Sequence, residues 1–264
     1  MHTGEHGSPP VLTERTKRLT WRRTRRPREH DNWGTATRYR RGMNLAAEFT
    51  LLAYDEDGTP LTDAIHLDNG LGGALLLELA LAERVDVVDR RVVVLDPAPT
   101  GDALLDDALA RIAAEERSRR PGHWVSRFAK TTRPLVLDRL VADGVLTVEK
   151  DKVLGVFPRT KFPAPGGVEP AAEIEVRERM LTAVLGVSAV HPRTAALCAL
   201  VAATDLDRKV FAELDRKLVK ARLKEIGEGA WAAAAVRGTI EEIQAAVLVA
   251  IVASTTATTA GTGA

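Results

Sequence analysis

Three cations, Arg127, Lys130 and Arg133, recur at every third position. If that segment is helical, the spacing puts them on one face. Pro134 follows, and proline suits the first position of a new helix. A helix start there would add unpaired backbone N–H groups and the positive end of a dipole. Side-chain cations beside such a terminus make a compact phosphate site, and the plain alternative is a solvated basic face. A second stretch, residues 153–163, reads Val-Leu-Gly-Val-Phe-Pro-Arg-Thr-Lys-Phe-Pro. Phe157 and Phe162 bracket Arg159 and Lys161 in it, and Val156 adds to its apolar side. Phenylalanine at the acyl boundary with Arg or Lys at headgroup depth is the chemistry of shallow bilayer insertion. The same side chains suit another subunit or the protein's own core equally well.

Groups that could do covalent or acid–base chemistry do not gather. Asp106-Asp107 and Glu241-Glu242 are adjacent pairs, and neighbours on a helix point about 100° apart. Cys198 sits in Leu-Cys-Ala-Leu, where a cysteine behaves as a small core residue. As the sole cysteine it allows no intrachain disulfide and no cysteine-built zinc site. The histidines form no HExxH motif, and no Gly-x-Ser-x-Gly elbow occurs. No catalytic residue, metal site or cofactor is therefore expected. Residues 69–74, Asn-Gly-Leu-Gly-Gly-Ala, hint at a phosphate loop. That motif needs a preceding strand and a βαβ unit, and neither is apparent. A helix start and close helix packing are the expected uses of these glycines.

The elements that must position these residues are mostly helical. The chain has 264 residues, 45% of them hydrophobic and 28% charged. That suits one domain or at most two. Periodicity predicts a short amphipathic helix from Leu45, ended by a turn at 55–60, and a mostly buried helix over 70–83. Strands are predicted at 85–88 and 91–95, turning at Asp89-Arg90. Helices follow from Asp102, over 124–130 and over 134–143, then short β-prone runs at 145–148 and 153–157. The rest reads as helices at 173–185, 192–204, 207–225 and 239–253, with a low-complexity, disordered tail at 254–264. The fold class is mainly α with two small β-hairpins.

The formal net charge of +1 conceals two unlike parts. Residues 1–42 hold eleven Lys or Arg and four acids, so the remainder of the chain is at −6. The first part reads as a disordered basic arm, a tether to anionic lipid or nucleic acid, or else as sequence upstream of a true start at Met43. No apolar run is expected to reach the ~20 residues that span a bilayer, and no secretory signal is apparent, which makes the cytoplasm the expected compartment. Arg outnumbers Lys 28 to 9, the usage of a GC-rich bacterial genome.

Several ordered stretches resemble the Golgi phosphoprotein 3 family. They are Leu75-Leu76-Leu77-Glu78-Leu79-Ala80-Leu81 with Gly70 and Gly73 before it, and Ala98-Pro99-Thr100-Gly101-Asp102-Ala103-Leu104-Leu105-Asp106-Asp107-Ala108-Leu109. Trp124, the run Gly144-Val145-Leu146-Thr147-Val148-Glu149-Lys150, the 153–163 hairpin and Pro192-Arg193-Thr194 complete the set. The resemblance covers 43–253. It implies a helical bundle ringed by amphipathic helices, with a protruding hairpin used in insertion or self-association. It also implies a non-enzymatic, peripheral membrane adaptor that binds phosphatidylinositol 4-phosphate and recruits cytoplasmic tails of membrane enzymes. The family's headgroup arginines fall on Lys130 and Arg133, with Arg127 beside them as a helper. A third family arginine falls on Gly72, and a family tryptophan falls near Leu61-Thr62-Asp63. Binding of anionic phospholipid in general is therefore expected over phosphoinositide selectivity. The rival is a winged-helix-like DNA-binding regulator, which the −6 body disfavours.

Overall fold

The computed structural model describes residues 43–153, 157–187, 189–228 and 234–260. The basic segment 1–42, Val156 and the last residues of the tail lie outside them, and Phe157 is described in its backbone alone. The expected class holds: the described chain is mainly α-helical, with two small antiparallel hairpins.

Helix α1 (Leu45–Ala53) starts at Asn44, whose side chain accepts from Ala47 N–H. Its residues are buried all round, so it is a core helix and not the amphipathic one that its spacing suggests. Helix α2 (Ala64–Leu81) is the axis of the bundle and touches α1 as well as most later helices. It begins well before the predicted Gly70, because Asp63 caps it through Ile65 and His66 N–H. Leu67, Leu71, Leu75, Leu76 and Leu79 are buried on it, and a helix apolar on every side has to sit inside.

Gly70, Gly72 and Gly73 thus lie within a helix, not in a loop. A Cβ on Gly72 would collide with the carbonyl oxygen of Val125, and one on Gly73 would collide with a methyl of Val247. A glycine inside a helix costs about 1 kcal/mol relative to alanine. Here it lets two neighbouring helices touch the α2 backbone.

The first hairpin, β1 (Val85–Val88) with β2 (Arg91–Val94), turns where the sequence places it. Asp89 and Arg90 have φ of 50° and 60°. That is the left-handed pair that matches strand twist in a two-residue turn. Helix α3 (Ala103–Ala113) is capped by Asp102. Helices α4 (Pro121–Ala129) and α5 (Thr132–Ala142) follow. The second hairpin differs from the predicted runs. Val145 and Leu146 are buried below α5, and the strands are β3 (Glu149–Val153) and β4 (Phe157–Lys161). The strand Glu-Lys-Asp-Lys-Val carries almost no apolar alternation, which hid it.

Helices α6 (Ala171–Val184) and α7 (Pro192–Ala203) complete the middle of the domain. The expected helix over 207–225 is two, α8 (Asp207–Val210) and α9 (Arg216–Glu228). Phe211 turns into the core between them, and Asp215 receives Leu218 N–H at 2.9 Å. Helix α10 (Ala234–Ala260) continues through Ser254–Thr256 instead of ending at 253. The three hydroxyls there donate to the carbonyls four residues back, at 2.8, 2.9 and 3.1 Å. Those bonds let these residues stay helical.

Among the described residues two helices are long and apolar enough to cross a membrane by length and composition, against the expectation of none. In Ala64–Leu81, 67% of the window is buried, as befits a core helix, and in Gly238–Ala257 only 28% is.

A half-buried charge cluster ties the chain's described start to α2, α6 and α7. Glu48 accepts from Arg179 at 2.8 Å and from Arg193 at 3.1 Å. Arg193 also donates to Glu78 at 2.7 Å and to the Met43 carbonyl at 2.6 Å. Cys198 lies on α7, 1% exposed, and burial pushes its thiol up to about 12. It is a core residue, as its apolar neighbours suggest.

Candidate functional site

The three spaced cations do not share one helix. Arg127 lies in the last turn of α4, Lys130 is that helix's C-cap, and Arg133 is the second residue of α5. Pro134 is the third helical residue instead of the first, and the Thr131 side chain makes no capping hydrogen bond. The break at 130–131 redirects the three side chains.

Arg127 turns back along α4. Its guanidinium lies 5.5 Å from the Trp124 ring centre and 3.5 Å from Glu115. Arg119 bonds the same carboxylate at 2.6 and 2.9 Å. Those hydrogen bonds, with the charges of Arg119 and Arg127, hold Glu115 below the usual carboxylate range.

Lys130 is exposed and makes no ion pair among the described residues. Arg133 is one-third exposed and places Nε 3.1 Å from Asp68 Oδ1 on α2. That approach is an ion pair without hydrogen-bond alignment, since Asp68 Oδ1 has no hydrogen-bond partner. Burial raises the Asp68 carboxyl above its ordinary value, and Arg133 opposes the shift. Burial also raises the Tyr54 phenol, which feels Arg133 and Asp68 with opposite signs.

A Cβ on Gly72 would lie 3.1 Å from the Ala129 backbone nitrogen, one residue before Lys130. The position aligned with the third family arginine therefore does adjoin Lys130, but α4 fills its space. Lys130 and Arg133 flank the break between α4 and α5, with Asp68 one helical turn from Gly72. Sequence reading missed Asp68 and Tyr54. The signal for Asp68 is its i, i+4 relation to Gly72, visible only once α2 is extended back to Ala64.

On the second hairpin Arg159 and Lys161 are half-buried and partnered, whereas Glu149, Lys150, Asp151, Lys152 and Thr160 are exposed. Arg159 donates to the Thr59 hydroxyl at 2.5 Å, and Lys161 lies 3.7 Å from Asp151 across the strands. Phe162 is at the base, edge-on to Tyr54 with ring centres 6.2 Å apart, and packs against the core. Its backbone N–H bonds Gly58 O at 3.0 Å. Of the options its sequence left open, Phe162 takes the core. Val156 lies outside the described residues.

Between α1, the hairpin base and α6 is a cavity of about 590 Å³. Leu51, Tyr54, Leu61 and Leu146 form its apolar wall, and Asp55, Glu56, Asp57, Glu169 and Glu173 its acidic one. Burial raises the Glu173 carboxyl, Arg177 opposes this, and Glu169 and Glu56 add to it. The cavity therefore favours positive charge. Among the described residues no group of three or more His, Cys, Asp or Glu is arranged to hold a metal. The helix before the first hairpin, which a winged-helix protein would lay in a DNA groove, is α2, the buried axis.

The family model described as Golgi phosphoprotein 3 (GPP34) matches residues 45–243, from the first residue of α1 into the first half of α10. On that match, which spans the cation pair and both hairpins, the chain belongs to the Golgi phosphoprotein 3 family.

Proposed function

We propose that this protein is a non-catalytic peripheral membrane adaptor that grips an anionic phospholipid phosphate with Lys130 and Arg133. At the family level the function is that of a Golgi-associated, phosphoinositide-binding adaptor without catalysis. The observation that carries the proposal here is the pair itself. Lys130 stands exposed without a counter-ion among the described residues, and Arg133 spends only its Nε on Asp68. The two outer nitrogens of its guanidinium suit a phosphate, which takes a forked donor well. Arg127 assists at longer range, held by Trp124 and Glu115.

The missing third arginine at Gly72 sets the expected selectivity. A bidentate charge-assisted contact contributes about 1.5–3 kcal/mol, one to two decades in affinity. The protein is therefore a reader of anionic lipid in general. The acid-walled cavity supports the other half of the adaptor role, since it would accept a basic cytoplasmic tail of a membrane protein. The test is co-sedimentation of Lys130→Ala with Arg133→Ala on anionic vesicles, with and without phosphatidylinositol 4-phosphate. Binding should fall on both. Unchanged binding at low salt would remove this site.

A further inference from the structure

The last helix turns an apolar stripe to solvent. Leu248, Val249 and Val252 are 46%, 66% and 62% exposed, while Ile243, Val247, Ala250 and Ile251 of the same helix are buried. The spacing of the exposed three puts them on one face. From 243 to 260 there is no charged residue on any side of α10, whereas Glu241 and Glu242 precede that run. The Ser254, Thr255 and Thr256 hydroxyls bond the helix's own carbonyls, so this end shows little unsatisfied polarity. A contiguous apolar face of this kind on a folded domain marks a contact surface.

The direction of the helix says which surface it meets. Thr239 bonds Asp86 on β1, past the C-terminal end of α2, and Val247 lies against Gly73 near its middle. The helix thus runs antiparallel to α2, and its uncharged half arrives at α2's N-terminal end. Arg133 meets that same end through Asp68, and Ala129, the residue before Lys130, faces Gly72 at the middle of α2. Arg133 and the uncharged apolar half of α10 thus lie toward one end of α2, with the acids of α10 toward the other. That is the polarity of a helix seated at a lipid interface.

We propose that the Leu248–Val249–Val252 face of α10 enters the acyl boundary of an anionic membrane beside the cation pair. It rests on the membrane reading above, and its test separates the apolar contact from the headgroup contact of Lys130 and Arg133. A headgroup contact is screened by salt, and an apolar one is not.

The experiment uses the full chain and phosphatidylcholine vesicles containing phosphatidylserine. Val249→Glu with Val252→Glu should weaken binding about tenfold or more and remove the part that survives high salt, because charge at the acyl boundary is costly. In a second variant, Val252→Trp, the added emission should shift to the blue on vesicles and be quenched by acyl-brominated lipid. Those results support the proposal even if Lys130→Ala with Arg133→Ala leaves binding intact, an outcome that removes only the headgroup site. Salt-resistant binding unchanged in the glutamate variant, with no quenching in the tryptophan variant, overturns it. So does a dimer that the glutamate variant converts to monomer with vesicle binding unaltered, which would assign the face to a second copy of the chain.

Discussion

At the proposed headgroup site, Asp68 and a lipid phosphate would compete for one guanidinium. The Arg133–Asp68 pair is partly exposed, at 33% and 26%. Such pairs contribute about 0–1 kcal/mol. Removing the competitor should release that much for binding. Asp68→Asn is thus expected to tighten binding to anionic vesicles by up to about fivefold, read by vesicle titration. Acid should act in the same direction. Burial raises Asp68 and outweighs Arg133, so it takes up a proton at a higher pH than an ordinary aspartate as the pH falls. A carboxyl raised in the folded state favours folding more as the pH drops through its folded value, so losing its charge costs the protein nothing. Vesicle binding by the parent chain should rise toward the carboxylate range, and the rise should be smaller in Asp68→Asn. The half-buried cluster makes the opposite demand. Arg193 serves Glu48, Glu78 and Met43 together. Arg193→Leu should cost about 3 kcal/mol, read as a lower urea midpoint, because Glu78 loses its cation and Glu48 loses one of its two. Lys130 and Arg133 were legible as spaced cations. Asp68 and Glu48 were not, since their partners are distant in sequence and no local pattern announces such a pair.

At the scale of elements, α2 governs most of the outcome. Its glycines are contact points, and Gly72 faces a backbone carbonyl that cannot rotate aside. Gly72→Arg should not restore a third phosphate contact. It should wedge α4 away from α2, with overpacking of about 1–3 kcal/mol or more. Gly122 is the matched control in α4, because a Cβ there meets nothing within 4 Å. Gly122→Ala should leave the melting temperature unchanged or raise it, and a fall as large as that of Gly72→Arg would contradict this account of α2. The first hairpin was readable because its apolar residues alternate around a two-residue turn. The second was displaced because its first strand is charged and is held by its base, where Thr147 N–H bonds Pro163 O at 2.8 Å. The helix-terminal serine and threonines looked like a tail because their composition is that of loops. Their side chains satisfy the helix they would otherwise break.

For the whole molecule, the mainly α architecture and the family were legible from ordered motifs, and the break between α4 and α5 was not. A three-residue spacing reports a common face only within an unbroken helix, and Lys130 ends one. The body's −6 gives no general attraction to anionic surfaces, so the proposed adhesion would have to come from the local cation pair and the apolar helix end. One buried atom offers a gauge of how tightly this body holds together. Cys198 is the chain's single thiol, in the middle of α7, and its pKa of about 12 leaves almost none of it ionised at neutral pH. Thiolate, not thiol, attacks alkylating reagents. Labelling must therefore wait for α7 to separate from α2 and α10, and the native protein carries its own stopwatch for that event, with no reporter introduced.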